Sequence, residues 1–444
     1  MNSASTTVAA ITAWEGFDSR GAPTVGCEVR LEDGATGTAY APSGASTGTH
    51  EVVERRDGDG RYGGRGVLGA VAAVTDELAP ALRGMDVADL AALDERIVAI
   101  DGTPTLSRLG GNALVALSCA AAEALAASRR RPLFQVLGGD GVSTLPLPMV
   151  NVVSGGAHAR DGIDIQDVLA IPVGASSFAE AMRWAWDVRA GTAEAMGARG
   201  LSSSLVADEG GLAPALATNL AALELVVEGI ERAGLAPGEQ VGLAIDVAAN
   251  QLYDGELYWL REHGECGLTS EQLVELLTGW CERLPLLSIE DAVADTDEDG
   301  WVIASAQLSP RCQLLGDDLF VTDLERLRDG ARRGIANAVL LKPNQTGTLT
   351  RTHRVGAEAD AAGYATVLSA RSGDTEDAWL ADVAVAWDTG QIKVGSLTRS
   401  ERTAKWNRLL QIEAALGERA RFAGRDALPA SAGGTAVTAG VTGA

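Results

Sequence analysis

Eight short apolar runs between residues 147 and 393 restrict the fold of this chain more than any other feature. They cover 147–153, 165–171, 241–246, 286–290, 313–317, 338–342, 366–369 and 391–393, and most end on a polar or charged residue. Runs of this length bounded by turn residues read as buried strands, and Ala/Leu/Glu/Arg-rich helical stretches lie between most of them. Strands alternating with helices predict a parallel β/α barrel. A short Gly-containing loop separates the first two runs, which predicts an antiparallel start in place of a regular βα unit. At 444 residues the chain is too long for one small core. The segment 1–140 reads as a separate α+β domain. Alternating stretches at 8–14, 24–31 and 36–41 predict an antiparallel meander, and helices are expected over 67–82 and 112–128. The barrel is expected over 141–427. Residues 428–444 are rich in Ala, Gly, Ser and Thr and read as a disordered tail.

The residues that close these runs carry the chemistry. Asp246, Glu290, Asp317, Lys342, Arg371 and Lys393 follow one another at steps of 44, 27, 25, 29 and 22 residues, about one βα unit each. The C-terminal ends of barrel strands converge on one mouth. Three carboxylates there repel one another unless a cation sits between them, and hard oxygen ligands suit Mg²⁺ better than zinc. Two lysines are expected across a substrate-sized gap. A single aspartate at a strand end is more often a helix cap. Three acids and then two lysines, in order and at barrel period, depart from that pattern.

Composition sharpens the lysines. Of 36 basic residues only Lys342, Lys393 and Lys405 are lysine. Under a GC-rich coding bias, lysine survives mainly where arginine cannot replace it. Arginine stays protonated, whereas lysine can have its pKa lowered and act as a base. Each of the three is a candidate for chemistry or tight packing.

A net charge of −24 repels nucleic acid and anionic membranes, so neither is expected as a partner. No apolar run is expected to span a bilayer, and residues 1–13 do not read as a signal peptide. Five scattered cysteines without CxxC spacing predict reduced thiols and a cytoplasmic location, with no disulfide framework or zinc site.

The segments DSRGAPTV, APSGASTG, RDGD, LPMVN, DIQD, DEGG, SIED, GDDLFVT, ARSGDTED and GQIKVGS occur in that order. In them the chain resembles the enolase (phosphopyruvate hydratase) family over about residues 8–425. The resemblance implies that Asp246, Glu290 and Asp317 hold one Mg²⁺ and that Ser46, in a mobile loop, reaches a second. It implies Lys342 as the base at C2, Glu209 as the acid at C3, and Lys393 as a neutralising cation. Arg371 and Ser372 would bind the phosphoryl group, with His158, Gln166 and Asp167 beside them. At least a homodimer is implied.

The departures from the family fall in the pocket. Ala370 stands where the family's HRSGE motif has histidine, and Asp374 replaces its glutamate. Asp167 is one methylene shorter than the family's residue. Pro343, Thr346 and Arg351 alter the segment after the base. Loss of an imidazole and a shorter acid open space while the elimination machinery stays, which predicts a bulkier or more charged substrate. In this the chain is similar to the enolase-like carboxyphosphonoenolpyruvate synthases, which dehydrate 2-phosphonoformylglycerate. A housekeeping enolase that tolerates the changes and a non-catalytic enolase-fold binding protein remain alternatives at this level.

Overall fold

The protein is described from a computed structural model covering residues 5–44, 50–58, 60–159 and 162–430. The chain opens with an antiparallel meander of β1 (Val8–Phe17), β2 (Pro23–Leu31) and β3 (Thr36–Tyr40). One face of β2 and β3 is covered by α1 (Gly111–Arg129). The contact is close because Gly37 carries no side chain: a Cβ there would lie 2.0 Å from the backbone nitrogen of Ala124. The expectation that no apolar run could span a bilayer needs correcting at this helix. By length and composition α1 is long and apolar enough, but 83% of its apolar window is buried inside the protein. Its apolar residues are consumed by packing against the meander.

All eight runs form strands, and the strands close into one barrel. They are β4 (Leu147–Ser154), β5 (Asp167–Ile171), β6 (Gly242–Asp246), β7 (Leu286–Glu290), β8 (Gln313–Gly316), β9 (Ala338–Leu341), β10 (Ala365–Ser369) and β11 (Gln391–Gly395). The barrel is closed by β4 pairing with β11. The antiparallel start is present: β5 runs against both β4 and β6, and the other pairs are parallel. This reversal has a functional consequence. Asp167 begins β5, so the reversed strand puts it at the mouth where the other strands end. There it pairs with Asp246, which pairs in turn with Glu290.

Below the mouth the barrel is filled. Gln313 and Gln391 exchange side-chain hydrogen bonds at 3.1 and 2.8 Å, and Gln313 also donates to Ser288 Oγ. Leu147, Met149, Leu169, Leu315, Leu340 and Val367 belong to an apolar cluster that closes the lower end. Leu428, expected to begin the tail, is instead buried in that cluster. Residues 431–444 lie outside the described residues.

The outer helices have their own caps. Ser177, Thr218, Asp297, Asp323 and Thr348 each accept a backbone N–H at a helix start. Thr269 and Gln272 complete a capping box. The strand-end acids Asp246, Glu290 and Asp317 therefore are not needed as helix caps.

Candidate active site

The mouth gathers nearly every residue picked out in the sequence. A polar cavity of about 40 Å³ is lined by His158, Gln166, Asp167, Glu209, Asp246, Asp317, Lys342, Ser369, Ala370, Arg371, Ser372 and Lys393. Glu290 is buried beside Asp246, off the cavity lining. Ser46 lies outside the described residues.

The lysines stand closer to the acids than a facing arrangement implies. Lys393 Nζ donates to Asp246 Oδ2 at 2.8 Å and to Glu290 Oε2 at 2.7 Å. Lys342 Nζ donates to Asp317 Oδ2. Burial alone would lower the Lys393 pKa, but the charges of Asp246 and Glu290 outweigh it and raise it well above the usual lysine value. Lys393 is thus held as an ammonium, which suits charge neutralisation.

The acids still exceed the cations. Glu290 is raised well above the carboxylate range by burial and then by the charge of Asp246. Its Oε1 is buried with no hydrogen-bond partner among the described residues. Burial and the neighbouring acids raise Asp291 in the same way and push Asp318 up to about 7. Asp291, Asp317 and Asp318 bring ligand oxygens within 4.8 Å of one another. That cluster shares Asp317 with the expected ligand set but does not include Asp246 or Glu290; its carboxylate oxygens, and the unpartnered oxygen of the buried Glu290, are hard donors that suit a divalent cation.

Asp291 and Asp318 were not anticipated, although each directly follows a residue that was. The Asp291 carboxylate accepts the backbone N–H groups of Asp317 and Asp318, both at 2.9 Å, so it fixes the turn that presents Asp317. Gln345 donates to Asp317 Oδ1 at 3.3 Å and to Glu51 Oε1 at 3.2 Å. Gln166 donates to Asp246 Oδ2 at 3.0 Å.

A second group surrounds Asp167, whose Oδ1 accepts Asn151 Nδ2 and, at 3.2 Å, Ser154 Oγ. His158 Nδ1 lies 3.5 Å from Asp167 Oδ1 and 3.8 Å from Asp208 Oδ1. Burial would lower the His158 pKa, but the charges of Asp167 and Glu209 raise it to about 10. Glu209 behaves in the opposite sense. Burial would raise its pKa, but His158, Arg402, Lys393 and Lys342 together lower it, so it stands as a carboxylate.

Arg371 and Ser372 follow β10 into the mouth. Arg371 donates to Asn344 Oδ1 at 2.9 Å and to Glu51 Oε2 at 3.2 Å. Arg20, from the meander segment, donates to Ser372 Oγ at 3.4 Å and so joins the N-terminal segment to the barrel mouth. No spacing in the sequence links Glu51 or Arg20 to residues more than 300 positions away. Ala370 is 8% exposed and lines the main cavity. It also lines a second cavity of about 10 Å³, with Pro42, Asn344, Asp374, Leu380 and Lys405 on the walls.

Comparison with protein families gives two matches. Residues 8–137 match the family model described as the enolase N-terminal domain, and residues 142–431 match the enolase C-terminal TIM barrel domain.

Proposed function

This chain belongs to the enolase family, and from that membership we propose that it is a Mg²⁺-dependent hydro-lyase acting on a glycerate with a phosphonoformyl group at C2. The family and the carboxylate cluster together point to a divalent-metal enzyme of the lyase type. The finer reading is 2-phosphonoformylglycerate to carboxyphosphonoenolpyruvate, a step of phosphonate antibiotic biosynthesis. The observation that carries it is Ala370, which lies between the main cavity and a pocket with room for about one water. The size of the side chain at position 370 thus bears on both spaces.

Asp246, Glu290 and Asp317 would hold one Mg²⁺, and Ser46 a second. When bound, the metal supplies Lewis-acid stabilisation to the substrate carboxylate, as in enolase-superfamily sites generally. In the proposed reaction Lys342, whose Nζ is paired with Asp317 in the ligand-free site, must first release a proton and then removes the one from C2. Lys393, already held as an ammonium by its neighbours, faces the negative charge that develops on the carboxylate oxygens. Glu209 delivers a proton to the hydroxyl leaving C3. In the ligand-free site Glu209 is a carboxylate, so this role requires it to gain a proton as the multiply charged substrate enters and opposes the surrounding cations. Arg371 offers a fork to the phosphorus-bound oxygens, beside Ser372. His158, Gln166 and Asp167 line the same pocket.

Scattered cysteines support a cytoplasmic setting, and family membership supports a homodimer or higher homo-oligomer. Neither nucleic acid nor membrane belongs to this reading. The decisive experiment is turnover of 2-phosphoglycerate and 2-phosphonoformylglycerate side by side with Mg²⁺. A preference for the phosphonoformyl compound supports the proposal. Ordinary enolase turnover of 2-phosphoglycerate, with the analogue ignored, overturns it in favour of a housekeeping enolase.

A further inference from the structure

The helix Ser400–Leu416, here α2, packs outside the barrel, yet it sends two buried cations beneath the turn that carries Arg371 and Ser372. Arg402 is fully buried. Its Nη1 donates to the carbonyl of Arg371 at 2.7 Å and to that of Val394 at 2.9 Å, and its Nη2 donates to the carbonyl of Ser372 at 2.7 Å. One turn later, Lys405 Nζ donates to the carbonyl of Thr375 at 2.6 Å and to Asp374 Oδ1 at 2.9 Å. Two side chains three residues apart on one helix thus hold four of the five positions 371–375, all but Gly373.

The same guanidinium touches the rest of the site through backbone. Val394 follows Lys393 on β11. Gly395, at φ 111°, leaves room that a side chain would not: a Cβ there would lie 2.9 Å from Arg402 Cδ and 3.0 Å from the carbonyl of Glu209. The charge of Arg402 also contributes to holding Glu209 ionised.

Burying a guanidinium is costly, and a good carboxylate partner is the usual compensation. Arg402 has only an ion pair with Glu401 Oε1, 3.5 Å from its Nε and not a hydrogen bond, so the carboxylate offsets that cost in part and the Nη donors all go to backbone carbonyls. An apolar side chain would fill the volume without that cost. The arginine is therefore explained by what its donors hold in place.

We propose that Arg402, assisted by Lys405, is a positioning residue that aims Arg371 and Ser372 at the phosphorus-bound oxygens of the substrate. It also locks that turn to the strand carrying Lys393. This rests on the phosphoryl-binding role proposed above for Arg371 and Ser372.

The test compares wild type with Arg402→Met, Arg402→Lys and Lys405→Met, each checked for folding by circular dichroism. Turnover gives KM, and deuterium uptake at C2 at saturating substrate reports Lys342 separately. Arg402→Met is expected to raise KM roughly tenfold or more, because a misplacement of about 1 Å suffices for losses of that order. Exchange at saturation is expected to fall much less. Arg402→Lys should recover part of the KM loss. An unchanged KM in folded Arg402→Met overturns the proposal, as does an equal fall of KM-independent exchange and turnover. If Arg402→Met does not fold, Arg402→Lys and Lys405→Met decide, with a smaller rise in KM expected and none overturning the claim. If wild type exchanges no proton on either candidate substrate, the functional reading fails by itself. Calorimetric binding of inorganic phosphate then tests positioning alone: weaker binding in Arg402→Lys supports it, and equal binding sinks it.

Discussion

The ammonium of Lys393 sits 2.7 Å from Glu290 Oε2, across the barrel from its own strand neighbours, while the other oxygen of Glu290 is buried without a hydrogen-bond partner among the described residues. One lysine thus satisfies half of a carboxylate and leaves the other half buried in a site rich in acids. That relationship favours a cation at this site.

Metal binding is therefore expected to stabilise the protein in the absence of substrate. At about a hundred times its Kd, Mg²⁺ should add about 2.7 kcal/mol and raise the melting temperature by several degrees. Glu290→Gln should lose most of that rise, as read by thermal melting with and without Mg²⁺. An undiminished rise in Glu290→Gln would remove Glu290 from the ligand set.

Lys342→Ala should abolish Mg²⁺-dependent deuterium uptake at C2, a loss of about 10²–10⁴-fold for a positioned general base. NMR of the recovered substrate measures it. A wild-type protein that exchanges no proton would instead favour the non-catalytic alternative.

Restoring the imidazole by Ala370→His should fill the space between the two cavities. The expected outcome is a lower kcat/KM for the phosphonoformyl substrate relative to 2-phosphoglycerate. Unchanged selectivity would make the alanine incidental.

His158 links stability to pH. Its pKa rises from 6.5 to about 10 in the folded protein, because the charges of Asp167 and Glu209 outweigh the burial that would lower it. The folded state then binds the proton more tightly than the unfolded state. Its contribution to stability is complete below the ordinary histidine pKa and is lost as pH rises through about 10. Urea unfolding across that range should show a declining midpoint that is flatter in His158→Gln. Equal slopes would mean that the imidazole is not held charged.

Much of this was legible in the chain because barrel strands repeat at a regular spacing. The runs that end at Asp246, Glu290 and Lys342 needed only period and burial to be found. Asp167 was placed in its strand, but its presence at the mouth depends on the reversal of β5, which periodicity does not encode. Asp291 and Asp318 sit next to expected residues, but strand period does not mark them, since adjacent positions on a strand ordinarily face opposite ways. Here a turn at Asp291, with φ 43°, brings its carboxylate back under Asp317.

The barrel and the order of acids and lysines at its mouth are written in local pattern and residue type, and the pocket position of Ala370 follows from the family resemblance. Tertiary structure decided which charges touch. Glu51 meets Arg371, Lys393 bridges Asp246 and Glu290, and Arg402 reaches under the turn at Arg371, all across long separations in the chain. Those contacts depend on how the closed barrel and its covering segments pack, and burial then magnifies each of them, since charges removed from water interact strongly only with the neighbours that packing supplies.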